Sequence, residues 1–149
     1  MNLFYYSALA GLIGAAFTNG ATYGFRFIGV KTSLPWEIAA NVFLNPRFIY
    51  TPAGVVIGLA GTIALSTGIA IMIGYLLRWT GYNRAWLKGM ICADAFGFIT
   101  LGLAVNLFNI WPQLRNEPGT NLVALAVLSS LGMIQALLFQ RWQRNLVWK

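Results

Sequence analysis

Residues 85–110 read AWLKGMICADAFGFITLGLAVNLFNI, and this stretch decides the fold class. It is apolar for longer than the roughly 20 residues that carry a helix across about 30 Å of hydrocarbon. It also holds Asp94, the one ionisable side chain set deep within any apolar run of the chain. Three further runs match it: Leu3–Tyr23, Ala53–Leu77 and Gly119–Phe139. They are continuously apolar and lack the period-two alternation of barrel strands, so helices are expected. Helices also satisfy their own backbone groups, as a lipid solvent requires.

Composition points the same way. Of 149 residues, 58% are hydrophobic and 9% are charged, against about 25% charged in a soluble domain. So few charges cannot cover a water-facing surface, and the bilayer is the expected solvent. The first run lacks the basic residues that precede a signal peptide's apolar segment, so it reads as a retained span. The expectation is an all-α integral membrane protein: one transmembrane domain, residues 1–149, forming a four-transmembrane-helix bundle. The spans cover about 3–23, 53–77, 85–110 and 119–139.

Aromatic residues mark the ends of the runs. Trp79, Trp86, Trp111 and Trp142 lie there, and Tyr5, Tyr6, Tyr23, Tyr50, Tyr75 and Tyr82 cluster nearby, as in an interfacial belt. Trp36 and Trp148 fall outside the runs. With an even number of spans, both termini share one side. That side carries Arg78, Arg84, Lys88, Arg141, Arg144 and Lys149, against Arg26, Lys31, Arg47 and Arg115 on the other. The bias puts both termini in the cytoplasm. The net charge of +7 is then read as contact with anionic lipid, not with nucleic acid.

The first connection, Arg26–Pro52, is the longest. Ser33 is placed to cap a short helix starting near Pro35, with Glu37 in its first turn. Glu37, Asn41 and Asn45 form a polar stripe, with Trp36, Ala39, Ala40, Phe43 and Leu44 elsewhere around the helix. Asn45-Pro46 ends it. This predicts an amphipathic interfacial helix, on the outer membrane surface or against the bundle. The Arg78–Arg84 and Trp111–Pro118 connections are short, which makes spans 2–3 and 3–4 antiparallel neighbours. The tail from Gln140 suits an interfacial basic segment.

Small residues recur at helical spacing. Gly54, Gly58, Gly61 and Gly68 mark the second span, and Gly89, Ala93 and Gly97 the third. Such faces let helices approach closely where lipid gives no hydrophobic drive. Spans 2 and 3 are expected to pack through them, with a homo-oligomer seam as the alternative.

A charged Asp at span centre costs about 2.5–3.5 kcal/mol on insertion scales. Asp94 therefore needs hydrogen-bonding partners or a proton. Depth brings Ser129, Ser130 and Gln135 of the last span to its level, and Ser66, Thr67 and Tyr75 of the second. Lys88 stands on a different helix face. The candidate intramembrane polar site is Asp94, Ser66, Thr67, Ser130 and Gln135. Its two readings are a tie between helices and a proton or cation site. Thr18, Asn19, Asn106 and Asn109 form a second, outer polar level.

Enzymatic machinery is not expected. The chain has no histidine and a single cysteine, Cys92, which excludes an intrachain disulfide, a His-ligated cofactor and a Cys–His pair within one chain. It also lacks a Gly-Lys phosphate loop and paired carboxylates at useful spacing. No cofactor or metal is expected.

Tyr50-Thr51-Pro52-Ala53-Gly54 with Gly58, followed by Leu87-Lys88-Gly89, resembles small four-span membrane proteins of Firmicutes, the YqhR-like group. The resemblance covers spans 2 and 3 and implies a four-span fold. That group has no assigned activity, so no functional residue carries over. The function expected is a non-enzymatic structural or accessory subunit that self-associates or packs with other membrane subunits. The alternative is an oligomeric channel or transporter subunit with Asp94 on its path.

Overall fold

A computed structural model describes residues 2–104 and 118–147, whose regular elements are all helices, with no strand among them. Asn106, Asn109, Trp111, Arg115, Glu117, Trp148, Lys149 and the third connection lie outside the described residues.

The first helix, α1, spans Leu3–Phe27, four residues beyond the apolar run, and is capped by the Asn2 side chain. It ends because Gly29 adopts φ +91°, with Val30 N–H donating back to the Phe25 carbonyl and Gly29 N–H to that of Arg26. That left-handed turn is cheap for glycine. The loop helix α2 spans Pro35–Phe43. Its N-cap is Leu34 and not Ser33: the Leu34 N–H donates to the Glu37 carboxylate, and the Glu37 N–H to the Leu34 carbonyl. A 3-10 turn over Pro46–Phe48 follows, and Thr51 caps the next helix by accepting from Gly54 N–H.

That helix, α3, runs Pro52–Thr80 and stops at Gly81, where φ is +80°. Lys88 reaches back and donates to the carbonyls of Thr80 and Gly81, at 2.9 and 2.8 Å. A cation on the last carbonyls offsets both their missing partners and the helix dipole. The next helix, α4, spans Ala85–Gly97 and then loosens into a π-helix over Phe98–Ala104. The third apolar run thus changes helix type partway along, which its sequence did not suggest. The last helix, α5, covers Pro118–Val147. By length and composition, α3 and α5 are apolar enough to cross a membrane.

Helix pairing bears out the expected contact of the third and fourth apolar runs and departs from the expected close packing of the second and third. The dominant contacts join α1 to α3 and α4 to α5, with α2 laid along α3; α3 meets α4 only thinly. The Gly89, Ala93 and Gly97 face of α4 packs on Gly132, Ala136 and Leu128 of α5, not on α3. On α3, Gly54 lies against the Phe48 and Ile49 carbonyls, Gly58 against that of Trp36, and Gly61 against Ala39. The glycine seam of α3 therefore receives the loop helix. Gly68 of that seam has open space beside it.

Burial is inverted relative to a water-soluble domain. Ser7, Thr18, Thr22, Thr62, Ser66 and Gln135 are buried, alongside many alanines. Large apolar side chains face outward, with Phe4 72%, Phe27 86%, Leu122 68% and Trp79 94% exposed. A core of Ile69, Ile73, Leu77, Leu131 and Phe139 remains between α3 and α5. Trp142 packs edge-on to Phe139 and beside Tyr6, so it belongs partly to this core.

Candidate functional site

Asp94 lies nine residues into α4, about 13 Å along the helix. Both its carboxylate oxygens accept from the Ser129 hydroxyl, at 2.8 and 2.9 Å. The tie sits within a close contact of α4 and α5. One turn before it, Gly89 and Gly132 meet backbone to backbone; one turn after it, Gly97 lies under Leu128. Ser130, the neighbouring candidate, donates instead to the Ala126 carbonyl of its own helix. Lys88 is committed to the end of α3. Asp94 is half-buried.

Gln135 makes a second polar tie on another face of α5. Its side-chain NH2 group lies 3.3 Å from the Ala10 carbonyl, 3.1 Å from the Ser66 carbonyl and 3.1 Å from the Ser66 hydroxyl. Three acceptors around one nitrogen set the orientation of the amide. One side chain thereby links α5 to α1 and α3. Gly14 of α1 opens the space it fills, and Thr67 packs against Gly11 next to it. Ser66, Thr67 and Gln135 are therefore gathered at one crossing. Asp94 stands apart at the α4–α5 contact, and Ser130 joins neither set. Gln135 Oε1 and Ser7 Oγ are buried with no hydrogen-bond partner among the described residues.

The most buried carboxylate among the described residues is Glu37, only 3% exposed. Its Oε1 lies 3.0 Å from Arg26 and accepts from the Tyr50 hydroxyl at 3.3 Å, while Oε2 accepts from Leu34 N–H at 3.0 Å. This is the one ion pair among the described residues. Burial, then the neighbouring Glu37 charge and hydrogen bond, push the Tyr50 hydroxyl above its ordinary pKa; Arg26 partly opposes them. Tyr50 thus stays protonated as a donor at neutral pH. Asn19 of α1 accepts from the Trp36 N–H at 3.2 Å and donates to the Ala15 carbonyl. The outer polar level, expected from Thr18 and Asn19, is in the described residues a docking point for α2.

The sequence places Glu37 only in the first turn and on the polar stripe of the loop helix, because that helix is too short to read as a span. A usable signal was present: an acid inside the apolar segment Pro35–Phe43, with a basic residue at the preceding helix end and a tyrosine before the next.

Comparison with protein-family models, with curated proteins and with solved structures returned no match.

Proposed function

We propose that the chain is an integral membrane protein of four spans with both termini in the cytoplasm. In this reading it serves as a non-enzymatic structural or accessory subunit, self-associating or packed with other membrane subunits. The spans are α1, α3, the run that begins with α4, and α5. The observation that carries this reading is the inverted burial: small and polar residues inside, large apolar residues outside. Water would penalise so much exposed apolar surface, whereas lipid does not. The accessory role rests on where the polar groups are used. Asp94, Gln135 and Glu37 each spend their hydrogen bonds joining one helix to another. Arg78, Arg84, Arg141 and Arg144, exposed at the other end from Glu37, suit anionic lipid head groups.

The test is the mass of the protein in nanodiscs, for wild type and Asp94→Asn together, with proton and cation flux measured in liposomes. One defined assembly for both proteins and no flux supports the accessory role. Flux that Asp94→Asn abolishes would replace it with the second reading, a channel or transporter subunit. Two observations favour that second reading: Asp94 is only half-buried, and α4 turns into a π-helix four residues after it. Single π-turns often mark functional positions.

A further inference from the structure

The connection between α1 and α3 does not pass over the ends of those helices. Trp36 N–H is held by Asn19, eight residues before the end of α1, or about 12 Å back along it. Ala39 lies against Gly61, nine residues past the start of α3, or about 14 Å along it. Trp36 meets Gly58 and Ala39 meets Gly61, so contacts advance along both helices in the same sense. The chain then returns, and Phe48 and Ile49 lie against Gly54, near the start of α3. The segment enters and leaves at one end of the fold and reaches well below that end.

We propose that residues 28–51 form a re-entrant element inserted into the outer half of the membrane domain, and that the Glu37 carboxylate is the pin that holds it there. The proposal rests on the four-span reading above. A helix that starts inside hydrocarbon must have its first N–H groups satisfied by protein. Here Glu37 takes the Leu34 N–H and Asn19 takes that of Trp36. The same carboxylate reaches Arg26 at the end of α1 and Tyr50 just before α3. One buried group therefore ties the helix of the segment to the end of α1 and to the turn that leads into α3. Arg26 and Tyr50 are exposed while Glu37 is buried, so the pin can be loosened from the outer side without opening the core. Loosening it frees α2 from Gly58 and Gly61, a backbone-deep groove suited to a helix. The segment is thus a re-entrant strap with a built-in release.

Single cysteines in a Cys92→Ser background test this, with a membrane-impermeant maleimide added to intact cells. Val42 is exposed on α2, so in the re-entrant position it faces lipid and is shielded from the reagent. Arg47, exposed in the following turn, is the water-facing reference. Val42→Cys should react at least tenfold more slowly than Arg47→Cys. Adding Arg26→Gln should raise the Val42→Cys rate several-fold. Tyr50→Phe should raise it less, because its bond is longer and uncharged, and Arg26→Lys should stay near the parent. Both sites of substitution are exposed, which favours folding of the variants. Equal rates at positions 42 and 47 in the parent would overturn the re-entrant placement. A shielded Val42→Cys unchanged by Arg26→Gln and Tyr50→Phe would overturn the pin. Failure of the membrane reading looks different: the protein would remain in the soluble fraction without detergent.

Discussion

Gly89 of α4 and Gly132 of α5 face each other with no side chain between them, each lying against the other's carbonyl oxygen. A methyl group on either would collide with backbone, which cannot move aside as a flexible side chain can. Gly132→Leu is therefore expected to part α4 from α5 and to cost about 1–3 kcal/mol, the usual range for overpacking. Gly68→Ala is the control, since Gly68 has open space around it. It should be neutral or stabilising by up to about 1 kcal/mol, the helix preference of Ala over Gly. Thermal unfolding in detergent reads both.

The Asp94–Ser129 tie lies beside that contact, and its energy is separable. Asp94→Ala and Ser129→Ala, singly and together, form a double-mutant cycle. The expected coupling is roughly 0.6–1.7 kcal/mol, the range found for hydrogen bonds between membrane helices. Asp94→Asn keeps an acceptor for the Ser129 hydroxyl and should unfold close to wild type. A coupling near zero would mean that the bond does not hold the two helices.

Gln135 has no exposed surface and joins three helices, yet its carbonyl oxygen lacks a partner among the described residues. Deleting the amide removes three weak bonds and one buried, unpaired acceptor together, and these effects oppose each other. Gln135→Met, which keeps the volume, should therefore cost less than about 1.5 kcal/mol. Gln135→Ala should cost roughly 2–4 kcal/mol, because it also leaves a cavity between α1, α3 and α5. The order of the two unfolding midpoints is the measurement; equal midpoints would assign the stabilisation to hydrogen bonding alone, since both variants lose the same amide.

These ties show which features were legible in the sequence. Asp94 stood out because one acid in an apolar run has no solvent to lean on; depth brings Ser129, Ser130 and Gln135 to its level, but the candidate site keeps the latter two and leaves out Ser129, the residue that bonds it. The loop helix was legible from Pro35, Glu37 and Asn45-Pro46, and its ends fall close to those expected. Which surface each seam meets was not legible. Gly54, Gly58 and Gly61 define a face wide enough for a backbone, but helical spacing carries no label for the partner, which is α2 at Gly58 and Gly61 and the turn after it at Gly54. The nine residues of α2 have the same amphipathic pattern on a membrane surface as beside another helix. The burial of Glu37 therefore had to come from tertiary contacts. The π-helix after Gly97 left no trace either, because its residues are as apolar as those of an ordinary helix.

The Tyr50 hydroxyl gives the outer cluster a pH dependence. Its pKa is raised in the fold, by burial first and by Glu37 second. A raised folded pKa means a contribution fully present below the unfolded value, about 10, and lost as pH climbs past it. Above that range the phenolate would stand against Glu37 and no longer donate to it. Wild type should therefore lose more thermal stability than Tyr50→Phe as pH rises from about 9 to about 11. Tyr82 also has a raised pKa, from burial opposed by Arg78, but it is common to both proteins and cancels in the difference. Parallel decline in the two would remove Tyr50 from the account.

The sidedness of three single cysteines, Arg47→Cys, Asn83→Cys and Arg144→Cys, tests the central claim most directly. An impermeant thiol reagent would be applied to intact cells and to inverted membrane vesicles. The four-span reading predicts that position 47 reacts only from outside, and that positions 83 and 144 react only in inverted vesicles. Position 47 labelled on the same side as position 83 would mean that α3 does not cross the membrane, and the proposed architecture would fall with it.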